Sequence, residues 1–206
     1  MVELRDVHIQ FEEKKVLEGF SLKVDPQERL VIMGQTGSGK STILRLILGT
    51  LRPSVGSIFF KQFEITRLQR RKLQQVRRHI GMVYQYSALL SSRNVRDNVA
   101  LPLEELTDKS RKEIDKIVDE KLDLVGMKDS KDLLPSELSG GMRKRVSIAR
   151  SLVLEPELIL LDEPSAGLDP VIASVIDELI ISLTEKSNVT SITVTHEMDS
   201  AFRIGT

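Results

Sequence analysis

Apolar and polar residues alternate from Val2 to Phe11 (VELRDVHIQF) and again from Phe20 to Val24, the period-two pattern of strands with one buried face. Ser57 to Phe60 reads as a further strand. Glu28 to Met33 is an apolar strand that runs straight into a glycine-rich turn. Behind that turn, Ser41 to Leu48 (STILRLIL) is almost wholly apolar, as expected of a helix buried on most sides. The middle third changes period. Asp108 to Val125 places Ile114, Ile117, Val118, Leu122 and Val125 on one helical stripe, stopped by Gly126. Thr66 to His79 carries six Lys/Arg residues and reads as a helix with a solvated basic face. Continuous apolar strands then return at Ile80 to Tyr84, Leu158 to Leu161 and Val189 to Thr195, with helical pattern from Val171 to Leu183. Uninterrupted apolar strands flanked by helices predict an α/β fold with a parallel sheet buried on both faces.

Composition narrows the class without naming a job. The 206 residues suit one domain, and Lys+Arg 30 against Asp+Glu 30 leaves no electrostatic footprint for nucleic acid. Absence of cysteine excludes disulfides and thiolate metal sites. No apolar run approaches the roughly 20 residues of a membrane span. Met1-Val2-Glu3 enters the first strand without a basic and apolar leader, so a cytoplasmic location is expected.

The chemistry starts at Gly34-Gln35-Thr36-Gly37-Ser38-Gly39-Lys40-Ser41, with Thr42 following, a complete Gly-x-x-x-x-Gly-Lys-Ser motif between a strand and a helix. Glycines let backbone N–H groups converge on phosphates, and the helix N-terminus adds its positive end. Lys40 is expected to reach the β- and γ-phosphates of ATP, and Ser41 to ligate Mg²⁺. Leu158-Ile159-Leu160-Leu161-Asp162-Glu163 supplies carboxylates at the C-terminal end of an apolar strand, where open parallel sheets bind ligands. Asp162 is expected to hold Mg²⁺ and Glu163 to polarise an attacking water. A second anion-binding turn, Ser139-Gly140-Gly141, feeds the basic helix of ELSGGMRKRVSIARSL.

Together these residues resemble the nucleotide-binding subunit of ATP-binding-cassette (ABC) proteins, over essentially the whole chain. The most specific mark is Leu138-Ser139-Gly140-Gly141-Met142, about twenty residues before Asp162. The resemblance implies a P-loop NTPase with a RecA-like parallel core, an N-terminal antiparallel β subdomain and an inserted helical subdomain. It implies divisions at residues 1–86, 87–152 and 153–206. It also implies that Ser139, Gly140 and Gly141 close over the γ-phosphate held by a second copy, so that two ATPs lie between head-to-tail chains. Gln85 looks like the Q-loop glutamine, which contacts Mg²⁺ and water and couples to a partner. Ser165-Ala166-Gly167-Leu168-Asp169 looks like the D-loop, with Asp169 crossing the dimer interface. His196 looks like the switch histidine at the γ-phosphate, and Phe11 resembles the aromatic that stacks on adenine. Met142 stands where Gln is commoner. The sequence ends ten residues after His196, where family members usually continue, so part of the family fold is expected to lie outside this chain.

The stretch Tyr84 to Leu103, with Leu-Ser-Gly-Gly-Met and Gly-Leu-Asp-Pro, is similar to the Mla-type bacterial ATPases. Those power phospholipid or hydrophobic-compound traffic, with an integral membrane permease and a periplasmic or membrane-anchored lipid-binding protein. The resemblance implies a peripheral position on the inner face of the membrane. It also implies a permease helix docked near Gln85 and Arg93 to Asn98, where Arg93 and Arg96 either pair with its acidic residues or are plain surface arginines. Three other readings remain beside it. A non-transporting ATPase of a cell-division complex has a similar Q-loop. A DNA-repair ATPase would carry long coiled coils, whereas only about fifty residues separate Gln85 from Leu138 here. A binding protein without turnover is disfavoured by Glu163 and His196 together.

Overall fold

The structure, a computed structural model, describes residues 1–12 and 14–205. Among the described residues eight strands form two four-stranded sheets. The antiparallel sheet contains β1 (Val2–Phe11), β2 (Lys14–Val24), β4 (Val55–Phe60) and β5 (Phe63–Glu64), in the order β2-β1-β4-β5. The parallel sheet contains β3 (Arg29–Met33), β6 (Ile80–Val83), β7 (Leu158–Asp162) and β8 (Thr190–Thr195), in the order β3-β8-β7-β6. Leu160 pairs with Ile192 and Met82, which puts β7 at the centre of the sheet beside β8.

Period two explains how β7 buries both faces. Leu158 and Leu160 join a core with Leu44, Ile47, Leu4, Ile58, Phe60 and Ile192, where helix α1 (Lys40–Ile47) is packed between the two sheets. Ile159 and Leu161 point the other way, into a second core with Val83, Val99, Leu103, Val118, Val146 and Ile176. That core also takes in helices α3 (Val95–Leu106), α4 (Arg111–Leu124), α5 (Gly140–Leu152) and α6 (Pro170–Ser187). The helical section therefore shares one continuous core with the parallel sheet.

Most helix ends follow from local chemistry. Ser110 and Glu113 form a reciprocal capping box at the start of α4. Asn94 caps α3, and Asp169 caps α6 by accepting from the N–H groups of Val171 and Ile172. The α4 stripe is buried as the period predicts, with Ile117 at its half-buried margin. Elsewhere the boundaries move. The basic segment is helical only over α2 (Arg70–Arg77), because residues 65–67 form a tighter 3₁₀ turn. β2 begins six residues before Phe20, in a stretch where shifts of register against β1 and Gly19 at φ 64° break the alternation. A short helix, α7 (Met198–Ile204), closes the described chain and was not foreseen from the sequence.

Candidate active site

Residues 34–39 join β3 to α1 as a tight loop. Gly39 stands at φ 94° as the N-cap of α1, and a Cβ there would lie 2.8 Å from Cγ1 of Val16, so both conformation and space demand glycine. No side chain caps this helix, and no carboxylate sits in its first turn. Its N-terminal amides are left for a ligand of negative charge. Lys40 is buried and folds back, donating from Nζ to the carbonyls of Gly34 (2.6 Å) and Gln35 (3.1 Å). A Lys40 ammonium held by two carbonyls, with the Glu163 carboxylate 3.5 Å away, stands beside free amides and is poised to turn to phosphate.

Asp162 and Glu163 leave the end of β7 as expected, and both are buried. Ser41 Oγ donates to Asp162 Oδ1 at 2.8 Å, joining residues 121 positions apart. Burial pushes the Asp162 carboxyl above its ordinary value, while the Ser41 hydrogen bond draws it down. A buried carboxylate whose recorded partner is one hydroxyl gains from a cation. The hydroxyl and carboxylate are hard oxygen donors of the kind Mg²⁺ takes alongside substrate phosphates. Glu163 is held from several sides. Its Oε2 lies 2.9 Å from His196 Nδ1 and accepts from the His196 N–H at 3.3 Å, and its Oε1 lies 3.5 Å from Lys40 Nζ. Its backbone sits at φ 49°, fixed by a hydrogen bond from its N–H to Val194 O.

Lys40, Ser41, Glu163 and His196 face one cleft of about 340 Å³, lined also by Phe11, Lys14, Val16, other residues of the glycine-rich loop and Gln85; Asp162 does not line it and meets it through Ser41. Phe11 lines it, partly exposed, at the end of β1 where the chain turns into β2. Thr36, Gly37, Gly39, Lys40, Ser41 and Thr42 all line it, whereas Gln35 contributes through its carbonyl to Lys40. Ser139, Gly140, Gly141 and Asp169 do not. Ser139 Oγ accepts from the Met142 N–H at the head of α5, and Gly141 approaches α6 so closely that a Cβ would lie 2.6 Å from Ile172 Cγ2. Met142, in place of the commoner glutamine, packs against the second core.

The basic helix α5 behaves unlike a solvated face. Arg143 donates to Leu138 O, Arg145 to Val125 O, and Arg150 to the carbonyls of Ser87 (2.6 Å) and Ala88 (2.7 Å). Ser87 and Ala88 are both left-handed, at φ 59° and 48°, so Arg150 clamps a strained turn directly after Gln85. Lys144, 5% exposed, donates to Gln85 O (2.5 Å) and Glu163 O (3.0 Å). Nothing local in the chain marks Lys144, because its partners lie 59 and 19 residues away. One expectation is corrected. Arg96 is committed within the chain to Asp115, Asp97 and Glu104, with its side chain 15% exposed, and Arg93 reaches Glu104 at 3.4 Å. Arg96 is therefore spent on fastening α3 to α4 and is not free to pair with an outside helix.

A phosphate-binding loop, a buried glutamate and a histidine on one cleft at the end of a parallel sheet, with a buried aspartate hydrogen-bonded to the loop's Ser41, define a P-loop ATPase. The chain belongs to the ABC transporter family: the family model described as ABC transporter matches residues 17–166. It is 39% identical over 204 residues to the intermembrane phospholipid transport system ATP-binding protein MlaF of Haemophilus influenzae, covering 99% of this chain and 77% of that one. It is 42% identical over 204 residues to the methionine import ATP-binding protein MetN of Brucella abortus, covering 99% of this chain and 55% of that one. Among solved structures, the dimeric post-hydrolysis state of the ATP-binding cassette MJ0796 bound to ADP and Pi superposes with a TM-score of 0.89 at 32% identity, over 98% of this chain and 91% of that one. The chain is thus an ATP-binding, ATP-hydrolysing subunit of the ABC transporter type.

Proposed function

We propose that this subunit powers the movement of a phospholipid or another hydrophobic compound through a partner permease, on the inner face of a membrane. Among the described residues no helix is long and apolar enough to cross a bilayer. The observation that carries the hydrolytic reading is the Glu163 carboxylate, held between His196 and Lys40 at the wall of the phosphate cleft. Phe11 stacks on adenine, the amides of residues 37–42 and Lys40 bind the phosphates, and Glu163 accepts a proton from water. That water attacks the γ-phosphorus while the bond to the β-γ bridging oxygen breaks, releasing ADP and phosphate. His196 orients Glu163 and meets the γ-phosphate. Ser41, Asp162 and Gln85 would hold Mg²⁺, which when bound neutralises phosphate charge.

Ser139 to Gly141 lie off the chain's own cleft, which supports their use against the triphosphate of a second copy, with Asp169 at the same junction. A dimeric relative bound to ADP and phosphate supports the same arrangement. The divisions at 1–86, 87–152 and 153–206 belong to this reading, with the middle part carrying the cap. Permease docking is assigned to a groove of about 370 Å³ whose lining includes Tyr84, Leu101 and Pro102 together with Arg77, Arg78 and Arg150. It adjoins Gln85 and replaces the Arg93 to Asn98 surface as the docking face, since Arg93, Arg96 and Asp97 line a separate polar recess.

The phospholipid assignment rests on the MlaF relative and on the Tyr84 to Leu103 stretch, and includes a lipid-binding partner outside the cytoplasm. Its test is purification of the complex from membranes, followed by ATP-dependent transfer of a fluorescent phospholipid in proteoliposomes. Transfer supports it. Stimulation by methionine instead of lipid, or recovery of a cell-division complex, would overturn it.

A further inference from the structure

Lys144 stands five residues beyond the Ser139 cap on α5, and its ammonium is buried between two main-chain carbonyls. Those carbonyls belong to Gln85 and Glu163, the two residues that present a side-chain amide and a carboxylate to the cleft from different elements. A lysine needed only for packing would be costly here, since burial disfavours its charge, and an apolar side chain would fill the space more cheaply. Charged donors to carbonyls are also stronger and more directional than apolar contacts. Glu163 adds a reason for such a tie. It holds a left-handed backbone, and Lys144 and the Val194 carbonyl grip the two sides of that residue's main chain.

We infer that Lys144 is a positioning residue, fastening Gln85 and Glu163 to the helix that carries the Ser139–Gly141 cap, so that hydrolysis depends on it while nucleotide binding does not. Nucleotide binding draws on Phe11, Lys40 and the loop amides, whereas the hydrogen bonds of the Lys144 ammonium go to Gln85 and Glu163. The inference rests on the hydrolytic roles proposed above for Glu163 and Gln85. Burial of the ammonium holds its pKa down, at about 8, with the charges of Asp162 and Glu163 partly offsetting the desolvation.

The test compares Lys144→Met, which removes every donor, with Lys144→Gln, which keeps two N–H donors one atom shorter. In nucleotide-free protein, hydrogen–deuterium exchange over 84–90 and 162–166 should quicken in Lys144→Met and return partway in Lys144→Gln. With ATP, Lys144→Met should lose roughly 10²-fold in kcat, the scale of a misplaced catalytic group, with KM within about twofold. Lys144→Gln should recover part of that loss. Unchanged exchange, unchanged kcat, or a parallel loss of melting temperature and ATP affinity that Gln fails to rescue would each overturn the inference. Absence of turnover in the unaltered protein would sink the hydrolytic reading instead, and the exchange comparison would still decide whether Lys144 holds these segments.

Discussion

Replacing Glu163 with Gln isolates the proton-accepting role from everything else the side chain does. The two side chains are nearly isosteric, and the site is closed, with the Glu163 side chain 8% exposed. Gln retains one oxygen, which can accept from the His196 N–H in place of Oε2, while its amide nitrogen replaces Oε1 near Lys40; the left-handed backbone, tied by its own N–H to Val194 O, should persist. What disappears is the negative charge and the basic oxygen. Positioned general bases contribute about 10²–10⁴-fold, or about 2.7–5.4 kcal/mol at 1.36 kcal/mol per tenfold. Steady-state phosphate release should therefore fall by at least about 10²-fold in kcat, while a fluorescent ATP analogue binds within about twofold of the unaltered protein. Loss of a carboxylate from the triphosphate's surroundings should also favour the closed pair, seen as an ATP-dependent shift in gel filtration. A kcat within about threefold of the unaltered protein would remove Glu163 from the role of base.

Other expectations follow from packing and from the docking face. Leu160 is fully buried at the centre of the parallel sheet, so Leu160→Ala should cost about 2–5 kcal/mol, read by urea unfolding. A change below about 1 kcal/mol would contradict the packing described. Gly141→Val must displace α5 from Ile172, costing about 1–3 kcal/mol in overpacking, and should depress ATPase activity while a single chain still binds ATP. Retained activity would show that the approach of α5 to α6 is not needed. Leu101→Glu places a charge in the apolar groove and should abolish recovery of the membrane partner with basal ATPase intact, and unchanged recovery would move the docking site elsewhere.

The parts legible in the sequence were those whose chemistry is contiguous. The loop from Gly34 to Ser41 and the run from Leu158 to Glu163 each carry strand, turn and functional group within a few residues, and the structure brings both to one cleft. The continuous apolar run of β7 told that both its faces are buried, and the structure divides them, Leu158 and Leu160 to one core and Ile159 and Leu161 to the other. Long-range pairing was not legible. Lys144 and Arg150 read as charges on a basic helix, and only the fold shows that they end on carbonyls of the Gln85 to Ala88 turn. Arg96 failed in the opposite sense, since a surface arginine in the sequence proves to be tied to Asp115 on α4. The early part of β2 escaped because bulges interrupt its alternation, and α7 because it is short and presents Met198 and Phe202 outward.

The central claim is that one copy grips the triphosphate while the Ser139 turn of another seals it. The chain has no cysteine of its own, so a Gln35→Cys, Ser139→Cys pair can be introduced into the Glu163→Gln background without competing thiols. Oxidation followed by non-reducing electrophoresis should give a covalent dimer with ATP and Mg²⁺ and little without them. Protein that binds ATP yet forms no nucleotide-dependent cross-link between these two positions would contradict the account.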